Sequence, residues 1–264
     1  MQPIIETEFP VLTVKDLTVI RSGKVIIENM DLVINKGEFV GLVGPNGSGK
    51  STLLLAILGI LKFQNGIVKI HGITPMSRKL NGRIGWVSQA AANLSRDIKI
   101  TVRELVQLGG LNAKNMFSLT NHNLRQSVDR AIEIVDLKNV ENTDIGRLSG
   151  GQRQRAVIAR ALASNSDFIL LDEPLVGIDR DSRNSLLKLL DKLCHDEGKT
   201  ILMVSHDLTA IRQTAHRMIF LEEGIRYDGD AENFPDLEEL ANLRGIEPVH
   251  TDEHSHNHDH SQEE

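Results

Sequence analysis

The segment GPNGSGKS, residues 44–51, restricts the possible folds of this chain more than any other part of the sequence. It directly follows the apolar run FVGLV and directly precedes the apolar run TLLLAILGIL, which predicts a strand, a glycine-rich turn and a helix in succession. Glycines let backbone N–H groups turn inward around a phosphate, and the positive N-terminal end of the helix faces the same anion. The segment, called the phosphate loop below, therefore predicts nucleotide binding.

The side chains at the end of the phosphate loop have distinct expected roles. We expect Lys50 to reach the β- and γ-phosphates, Ser51 to offer its hydroxyl to Mg²⁺, and Thr52 to contact the α-phosphate. The remaining predicted nucleotide-binding residues of this loop are Gly44, Pro45, Asn46, Gly47, Ser48 and Gly49.

The rest of the chain changes pattern twice. Residues 11–45 contain strand-like runs separated by turns, namely VLTVKDLTVI, KVII and LVIN, and a further short strand is predicted for GIVKIHG. Residues 90–148 carry helix signals instead, because Thr101 and Glu104 have the spacing of a capping box. One predicted helix there has an apolar face formed by Leu124, Val128, Ile132 and Val135.

After residue 148, predicted helices and strands alternate, which indicates a parallel sheet covered by helices. The expected elements are a helix from SGGQ to Leu162, strand FILLD, helix SRNSLLKLLDKL, strand TILMVSH and strand RMIFL. A further helix is predicted for PDLEELANL.

Two adjacent acids end the predicted strand FILLD. Open α/β sheets bind ligands at the carboxyl ends of their strands, so Asp172 and Glu173 should lie beside the phosphate loop. We expect Asp172 to hold Mg²⁺ and Glu173 to orient or deprotonate an attacking water. Kinases, GTPases, helicases and transport ATPases all remain compatible with these two motifs.

The segment LSGGQRQR, residues 148–155, narrows the choice. It begins 24 residues before Asp172 and resembles the signature of ABC-type ATPases, and the resemblance extends over roughly residues 10–230. It implies binding of ATP with Mg²⁺ by a homodimer in which two ATP molecules lie between head-to-tail protomers. In that arrangement the signature of one protomer closes over the nucleotide of the other through Ser149, Gly150, Gly151 and Gln152.

The resemblance also implies a fold class and a division of the chain. The class is α/β, a P-loop NTPase of the ABC-ATPase type with an antiparallel β subdomain and an inserted helical subdomain. Residues 1–89 would form the β subdomain and the first part of the ATPase core, and residues 90–148 the helical subdomain. Residues 149–230 would complete the core, and residues 231–264 would form an extension with a disordered histidine-rich tail.

Four further residues match positions of the same family. Gln89 resembles the glutamine that contacts Mg²⁺ and water, Asp179 resembles the acid of the family's D-loop, and His206 resembles the histidine that contacts the γ-phosphate and Glu173. Arg21 occupies the place where the family usually stacks an aromatic side chain on adenine. A guanidinium plane can stack on a base in the same way.

The longest apolar run is about half of what a membrane span requires, so a transporter of this type needs an integral-membrane permease as a separate chain. The segments RIGWVSQ and SHDLTAIRQTAHR and the histidine-rich end resemble the ATPase subunits of zinc or manganese importers. The resemblance therefore implies divalent-metal uptake, a peripheral position on the cytoplasmic face of the membrane, and an extracytoplasmic metal-binding protein in the complex.

The last 15 residues, 250–264, are called the tail here. They contain the histidine-rich segment HTDEHSHNHDH, residues 250–260. Imidazoles prefer zinc, copper and nickel, and interleaved carboxylates widen the choice toward manganese. A transition-metal site, with Zn²⁺ as the favoured ion, is predicted on the tail; a solvated segment without a metal role is the competing interpretation. The candidate ligands are His250, His254, His256, His258 and His260.

Composition limits the rival functions. The tail holds five of the 36 acidic residues and no Lys or Arg, so residues 1–249 carry 30 basic and 31 acidic side chains. This balance gives no sign of a nucleic-acid-binding surface. Only 121 residues without sustained heptads separate Lys50 from Asp172, and the chain carries one cassette, which argues against an ABC ATPase that acts on nucleic acid or the ribosome. Transport of another small cargo stays open, whereas the intact set Lys50, Asp172, Glu173 and His206 argues against metal buffering by the tail alone. The single cysteine, Cys194, excludes an internal disulfide.

Overall fold

A computed structural model describes residues 10–92, 99–111, 122–236 and 239–240. In chain order, the strands are β1 Leu12–Arg21, β2 Lys24–Ile34, β3 Phe39–Val43, β4 Asn65–Ile70, β5 Ile84–Val87, β6 Phe168–Asp172, β7 Thr200–Val204, β8 Arg217–Leu221 and β9 Ile225–Asp230. The α-helices are α1 Lys50–Ile57, α2 Val102–Gly109, α3 His122–Ile134, α4 Gly150–Leu162, α5 Arg180–His195 and α6 Leu208–Arg212.

The strands form two sheets. Strands β2, β1 and β4 make a three-stranded antiparallel sheet in that order, and the other strands make a six-stranded sheet in the order β5-β6-β7-β3-β8-β9. The first five strands of the larger sheet are parallel, and β9 is antiparallel to β8. This arrangement confirms the predicted α/β class with an antiparallel sheet beside a parallel one.

The larger sheet is apolar on both faces because each face is covered. One face packs against α1 and the antiparallel sheet, and the other packs against α2, α3, α4 and α5. Strands β3 and β7 are buried at all five positions, as expected for parallel strands between two layers. Two apolar cores therefore fix the sheet rigidly beneath the phosphate loop.

Two helix signals predicted within residues 90–148 are confirmed in the described residues. Thr101 caps α2 by accepting a hydrogen bond from Glu104 N–H, and the Glu104 carboxylate accepts one from Thr101 N–H at 2.7 Å. The predicted apolar face on and just after α3 is buried at Leu124, Val128, Ile132 and Val135.

Several predicted boundaries were wrong. The two runs KVII and LVIN form one continuous strand, β2, because a bulge with Asn29 in the left-handed region (φ 45°) carries the chain through the polar residues between them. Helix α5 begins two residues earlier than predicted, since Asp179 rather than a later residue caps it. Strand β9 was not predicted, and the region of the predicted helix PDLEELANL lies mostly outside the described residues.

Candidate functional site

The phosphate loop joins β3 to α1 in the way that the sequence predicts. Gly44 has φ 150°, and a Cβ atom at this position would lie 2.2 Å from the carbonyl oxygen of Leu221. Gly49 is the N-cap of α1 with φ 98°, and among the described residues no side-chain hydrogen bond caps this helix. Unpartnered N–H groups at a helix N-terminus, next to a glycine loop, make a site for an anion.

The Lys50 ammonium braces the phosphate loop. Its Nζ donates to the carbonyl oxygens of Gly44 and Pro45, each at 2.8 Å. Burial lowers the pKa of Lys50, while the carboxylates of Glu173 and Asp172 oppose that shift. Because burial disfavours the charged form of Lys50, a ligand that carries negative charge would stabilise this ammonium.

Sheet register brings the acids to the same level as the loop. Leu42 of β3 and Asp172 of β6 both pair with Val204 of the intervening strand β7. The carboxyl ends of the three strands therefore lie at one edge of the sheet, where α/β proteins bind ligands.

Ser51 and Asp172 form the candidate Mg²⁺ site. The Ser51 hydroxyl donates to Oδ1 of Asp172 at 3.3 Å. Burial is the largest influence on this carboxyl and raises the pKa of Asp172, against the opposing effect of the Ser51 hydrogen bond. Hydroxyl and carboxylate oxygens are ligands that Mg²⁺ prefers, and a cation would offset the cost of burying the Asp172 charge, so these residues fit the ion.

Glu173 and His206 are in direct contact. Nδ1 of His206 lies 2.8 Å from Oε2 of Glu173, and the side chains are 64% and 11% exposed respectively. Glu173 has φ 52°, and its N–H donates to Val204 O at 3.0 Å. A non-glycine residue in the left-handed region costs free energy, and such strain clusters at functional sites.

A pocket of about 480 Å³, within the size range of small-molecule sites, is lined by Lys50, Ser51 and Glu173 but not by Asp172 or His206. Of the predicted residues it includes Arg21, Gln89, Glu173 and much of the phosphate loop. Ser22 and Ile26 also line the pocket and were not predicted as site residues. The turn that directly follows Arg21 in the sequence could have indicated them, because it keeps these residues close to Arg21. The complete lining is Arg21, Ser22, Ile26, Asn46, Gly47, Gly49, Lys50, Ser51, Thr52, Gln89 and Glu173.

The signature residues and Asp179 do not line this pocket. Ser149 caps α4, and the side chain of Gln152 accepts a hydrogen bond from Ser149 N–H at 3.1 Å, which completes a capping box. Asp179 caps α5 by accepting from Ser182 N–H at 2.9 Å, and this bond lowers the pKa of Asp179. Both segments are exposed at their first residues.

The predicted tail ligands His250, His254, His256, His258 and His260 lie outside the described residues. Within the described residues, no group of three or more His, Cys, Asp or Glu side chains is arranged to hold a metal ion. No helix in the same ranges is long and apolar enough to cross a bilayer.

Comparison with known proteins places these motifs in one family. Residues 27–176 match the family described as ABC transporter. The zinc uptake system ATP-binding protein ZurA of Listeria innocua is 38% identical over 224 residues, which cover 83% of this chain and 87% of that protein. The manganese transport system ATP-binding protein MntB of Halalkalibacterium halodurans is 36% identical, with coverages of 81% and 84%.

Two solved structures of ATP-binding cassettes or ABC transporter subunits are also similar to this chain. A dimeric ATP-binding cassette in a post-hydrolysis state with ADP and Pi has a TM-score of 0.71 at 31% identity, and the match covers 84% of this chain and 100% of that one. The protein cbiO1 of Clostridium perfringens, part of an ABC transporter complex, has a TM-score of 0.78 at 28% identity, with coverages of 90% and 96%.

Proposed function

This chain belongs to the ABC transporter family and is one of its ATPases, and we propose that it energises uptake of a divalent metal ion, zinc or manganese, through a separate membrane permease. The observation that carries the ATPase part is the convergence of Lys50, Ser51, Asp172, Glu173 and His206 at one edge of the sheet. The relatives named for zinc and manganese transport support the choice of cargo.

The contacts in the site support a division of labour among its residues. Lys50 and the N–H groups at the start of α1 would hold the transferred phosphate and offset its developing charge. Glu173 would accept a proton from the attacking water, and His206 would hold that carboxylate in place. Bound by Ser51 and Asp172, Mg²⁺ would supply charge neutralisation at the phosphates. Gln89 would contact Mg²⁺ and the water, and Arg21 would stack on adenine.

A homodimer would complete each site. The first residues of α4 and of α5 are exposed in the described part of one chain, which supports a head-to-tail pair in which they meet the partner's nucleotide. Ser149, Gly150, Gly151 and Gln152 would then contact the γ-phosphate across the interface, with Asp179 beside them. Two ATP molecules would close the dimer, and their hydrolysis would let it open again.

Transport requires partners in the membrane and outside it. We infer that the chain lies peripherally on the cytoplasmic face, that its helical segment between residues 90 and 148 contacts the permease, and that an extracytoplasmic protein delivers the metal. Closing and opening of the ATPase pair would move the permease between two access states, because the two states bind ATP with different affinity.

Reconstitution tests the proposed cargo. In proteoliposomes that contain this chain, its permease and the extracytoplasmic protein, zinc-loaded or manganese-loaded binding protein should raise the rate of ATP hydrolysis several-fold, and the apo protein should not. The measurement is phosphate release with each metal in turn. Stimulation by an unrelated small solute, with no response to either metal, would show that the cargo belongs to another class.

The tail prediction is separable from the ATPase. We propose that His250, His254, His256, His258 and His260 bind Zn²⁺ with micromolar or tighter affinity, and that binding weakens below about pH 6 because protonated imidazoles cannot ligate. Calorimetry of the full chain should show a zinc isotherm that is lost on truncation after Val249. Replacement of the five histidines by asparagine, at full length, is the matched control and should remove the same isotherm. Equal zinc binding by all three proteins would exclude the tail as the site.

A further inference from the structure

A charged contact outside the phosphate-loop pocket joins α5 to the segment that carries His206. Arg183 lies in the first turn of α5, and its Nη1 donates to Oδ2 of Asp207 at 2.7 Å. The two side chains are 39% and 23% exposed, so water screens this pair less than a fully exposed one. Neither residue was predicted as part of the site, although Asp207 directly follows His206 in the chain.

Asp207 is the only polar partner of the Arg183 guanidinium among the described residues. The Nε of Arg183 is enclosed and has no acceptor in the same part of the chain. Arg217, by contrast, contacts both Asp228 and Glu38. An enclosed donor without an acceptor costs free energy, which the single contact with Asp207 has to offset. The placement of the Arg183 side chain therefore depends on Asp207.

The Asp207 carboxylate is engaged at both of its oxygens. Oδ1 accepts a hydrogen bond from Ala210 N–H at 3.0 Å and so caps α6, while Oδ2 accepts from Arg183. The N–H of Asp207 donates to Oγ of Ser205 at 3.0 Å. Without the guanidinium, the carboxylate would keep only the α6 cap and would lose its charge-assisted contact. The ion pair therefore restrains the chain directly after His206.

His206 depends on its backbone neighbours because packing does not hold its ring. The imidazole is 64% exposed, and its contact with Glu173 joins Nδ1 to Oε2 over 2.8 Å. On one side of His206, Ser205 is 1% exposed, and its N–H donates to Leu42 O at 3.2 Å. On the other side, the chain is held through Asp207. Loss of either anchor would let the ring move away from Glu173.

The first turn of α5 is a firm base for Arg183. Asp179 caps this helix, and its carbonyl oxygen accepts a hydrogen bond from Arg183 N–H at 2.9 Å. A Cβ atom at Gly151 would lie 2.4 Å from Oγ of Ser182, so the start of α4 packs directly on this turn. A side chain that projects from a closely packed turn can restrain Asp207 with little movement of its own backbone.

We propose that Arg183 is a positioning residue for ATP hydrolysis, which holds His206 against Glu173 through Asp207. The inference rests on the proposed function, because it requires the roles assigned there to Glu173 and His206. Arg183 does not line the phosphate-loop pocket, so its loss should slow turnover without weakening ATP binding. A pair that merely tied α5 to α6 would change the free energy of unfolding and leave the turnover of the folded protein unchanged.

Turnover and binding are measured separately on the full chain with Mg²⁺, as phosphate release at saturating ATP and as titration with a non-hydrolysable ATP analogue. Arg183→Gln should lower kcat about tenfold, because small displacements of a catalytic group are costly, and should leave the dissociation constant unchanged. Arg183→Lys should recover most of the lost rate, since it keeps the positive charge and the contact uses one nitrogen. Lys188→Gln makes the same charge change at an exposed position of α5 and should keep full turnover.

Two further variants separate positioning from stability. Asp207→Asn keeps a side-chain oxygen for the α6 cap but removes the charge, and it should lower kcat as much as Arg183→Gln does. In a His206→Ala background, Arg183→Gln should cause no further loss of kcat, because the ring that it positions is absent. An effect independent of His206 would instead multiply with that of His206→Ala. Thermal unfolding checks that each variant is folded at the assay temperature.

Three results would overturn the proposal. They are normal kcat in folded Arg183→Gln or Asp207→Asn, a loss of the same size that persists in the His206→Ala background, and a loss confined to ATP affinity. Asp207→Asn applies the same test if Arg183→Gln does not fold. Normal turnover in His206→Ala alone would contradict the role of His206 in the proposed function, and this proposal with it. Failure limited to the Arg183 and Asp207 variants would leave the proposed function intact.

Discussion

Replacing Lys50 by alanine should reduce the affinity for ATP about 100-fold, equivalent to roughly 2.7 kcal/mol. The buried ammonium of Lys50 donates to two loop carbonyls at 2.8 Å, and in the proposed function it would meet the transferred phosphate. Its loss would remove that charge, release the carbonyls of Gly44 and Pro45, and leave Asp172 and Glu173 facing the incoming anion. Titration with a non-hydrolysable ATP analogue and Mg²⁺ measures the effect.

Two control variants give this titration its meaning. Lys62→Ala removes an exposed lysine outside the pocket and should bind ATP normally. Arg21→Ala should weaken ATP binding about fivefold through lost stacking on the base, yet leave the affinity for inorganic triphosphate unchanged. Since Lys50 also braces the loop, the thermal unfolding of Lys50→Ala must resemble that of the unaltered chain. Retention of normal ATP affinity by a folded Lys50→Ala would contradict its assigned role.

Local patterns in the sequence were sufficient to predict the parts of the fold that depend on interactions between residues close together in the chain. The capping box of Thr101 and Glu104 formed as its spacing requires, and the strand FILLD is buried between two layers as an uninterrupted apolar run should be. The phosphate loop could be predicted because its function demands an unusual local backbone, which only glycines adopt at Gly44 and Gly49.

What the sequence did not reveal depends on contacts between distant segments. Strand β9, IRYDGD, has no continuous apolar run because it is an edge strand covered on one side, so pairing with β8 rather than hydrophobicity defines it. The strained backbone of Glu173 arises where β6 meets Val204 of β7. The cavity between β5, the end of α2, the beginning of α3 and the last turn of α4 combines residues from four separate parts of the chain. The periodicity of apolar residues along the sequence contains no information about contacts between distant segments.

The variant Glu173→Gln should lose steady ATP hydrolysis while it still binds ATP. The amide has almost the same shape as the carboxylate but cannot accept a proton from water, so the turnover rate should fall at least about 100-fold. Phosphate release under saturating ATP measures the loss, and the Lys50 titration repeated on this variant should show near-normal affinity. The two substitutions therefore separate binding from chemistry at residues that lie in one pocket.

A matched control substitution tests whether the loss of ATP hydrolysis is specific to Glu173. Glu133→Gln makes the same chemical change at an exposed position of α3 and should keep full activity. His206→Ala should reduce turnover less than Glu173→Gln does, because it removes the group that positions the carboxylate rather than the carboxylate itself. If Glu173→Gln turned over ATP at a near-normal rate, another group would have to be the base.

The same variant should accumulate as an ATP-bound dimer. In the single chain, the first residues of α4 are capped by their own Ser149 and Gln152 and do not line the phosphate-loop pocket. In the proposed head-to-tail dimer they would reach the nucleotide of a second copy, and a dimer that cannot hydrolyse ATP would have no route to open except nucleotide release. Light scattering should therefore give twice the monomer mass for Glu173→Gln with ATP, and monomer without it. Addition of Ser149→Arg, which places bulk and charge at the signature, should return the mass to that of a monomer while ATP binding persists; a dimer that tolerated it would place the interface elsewhere.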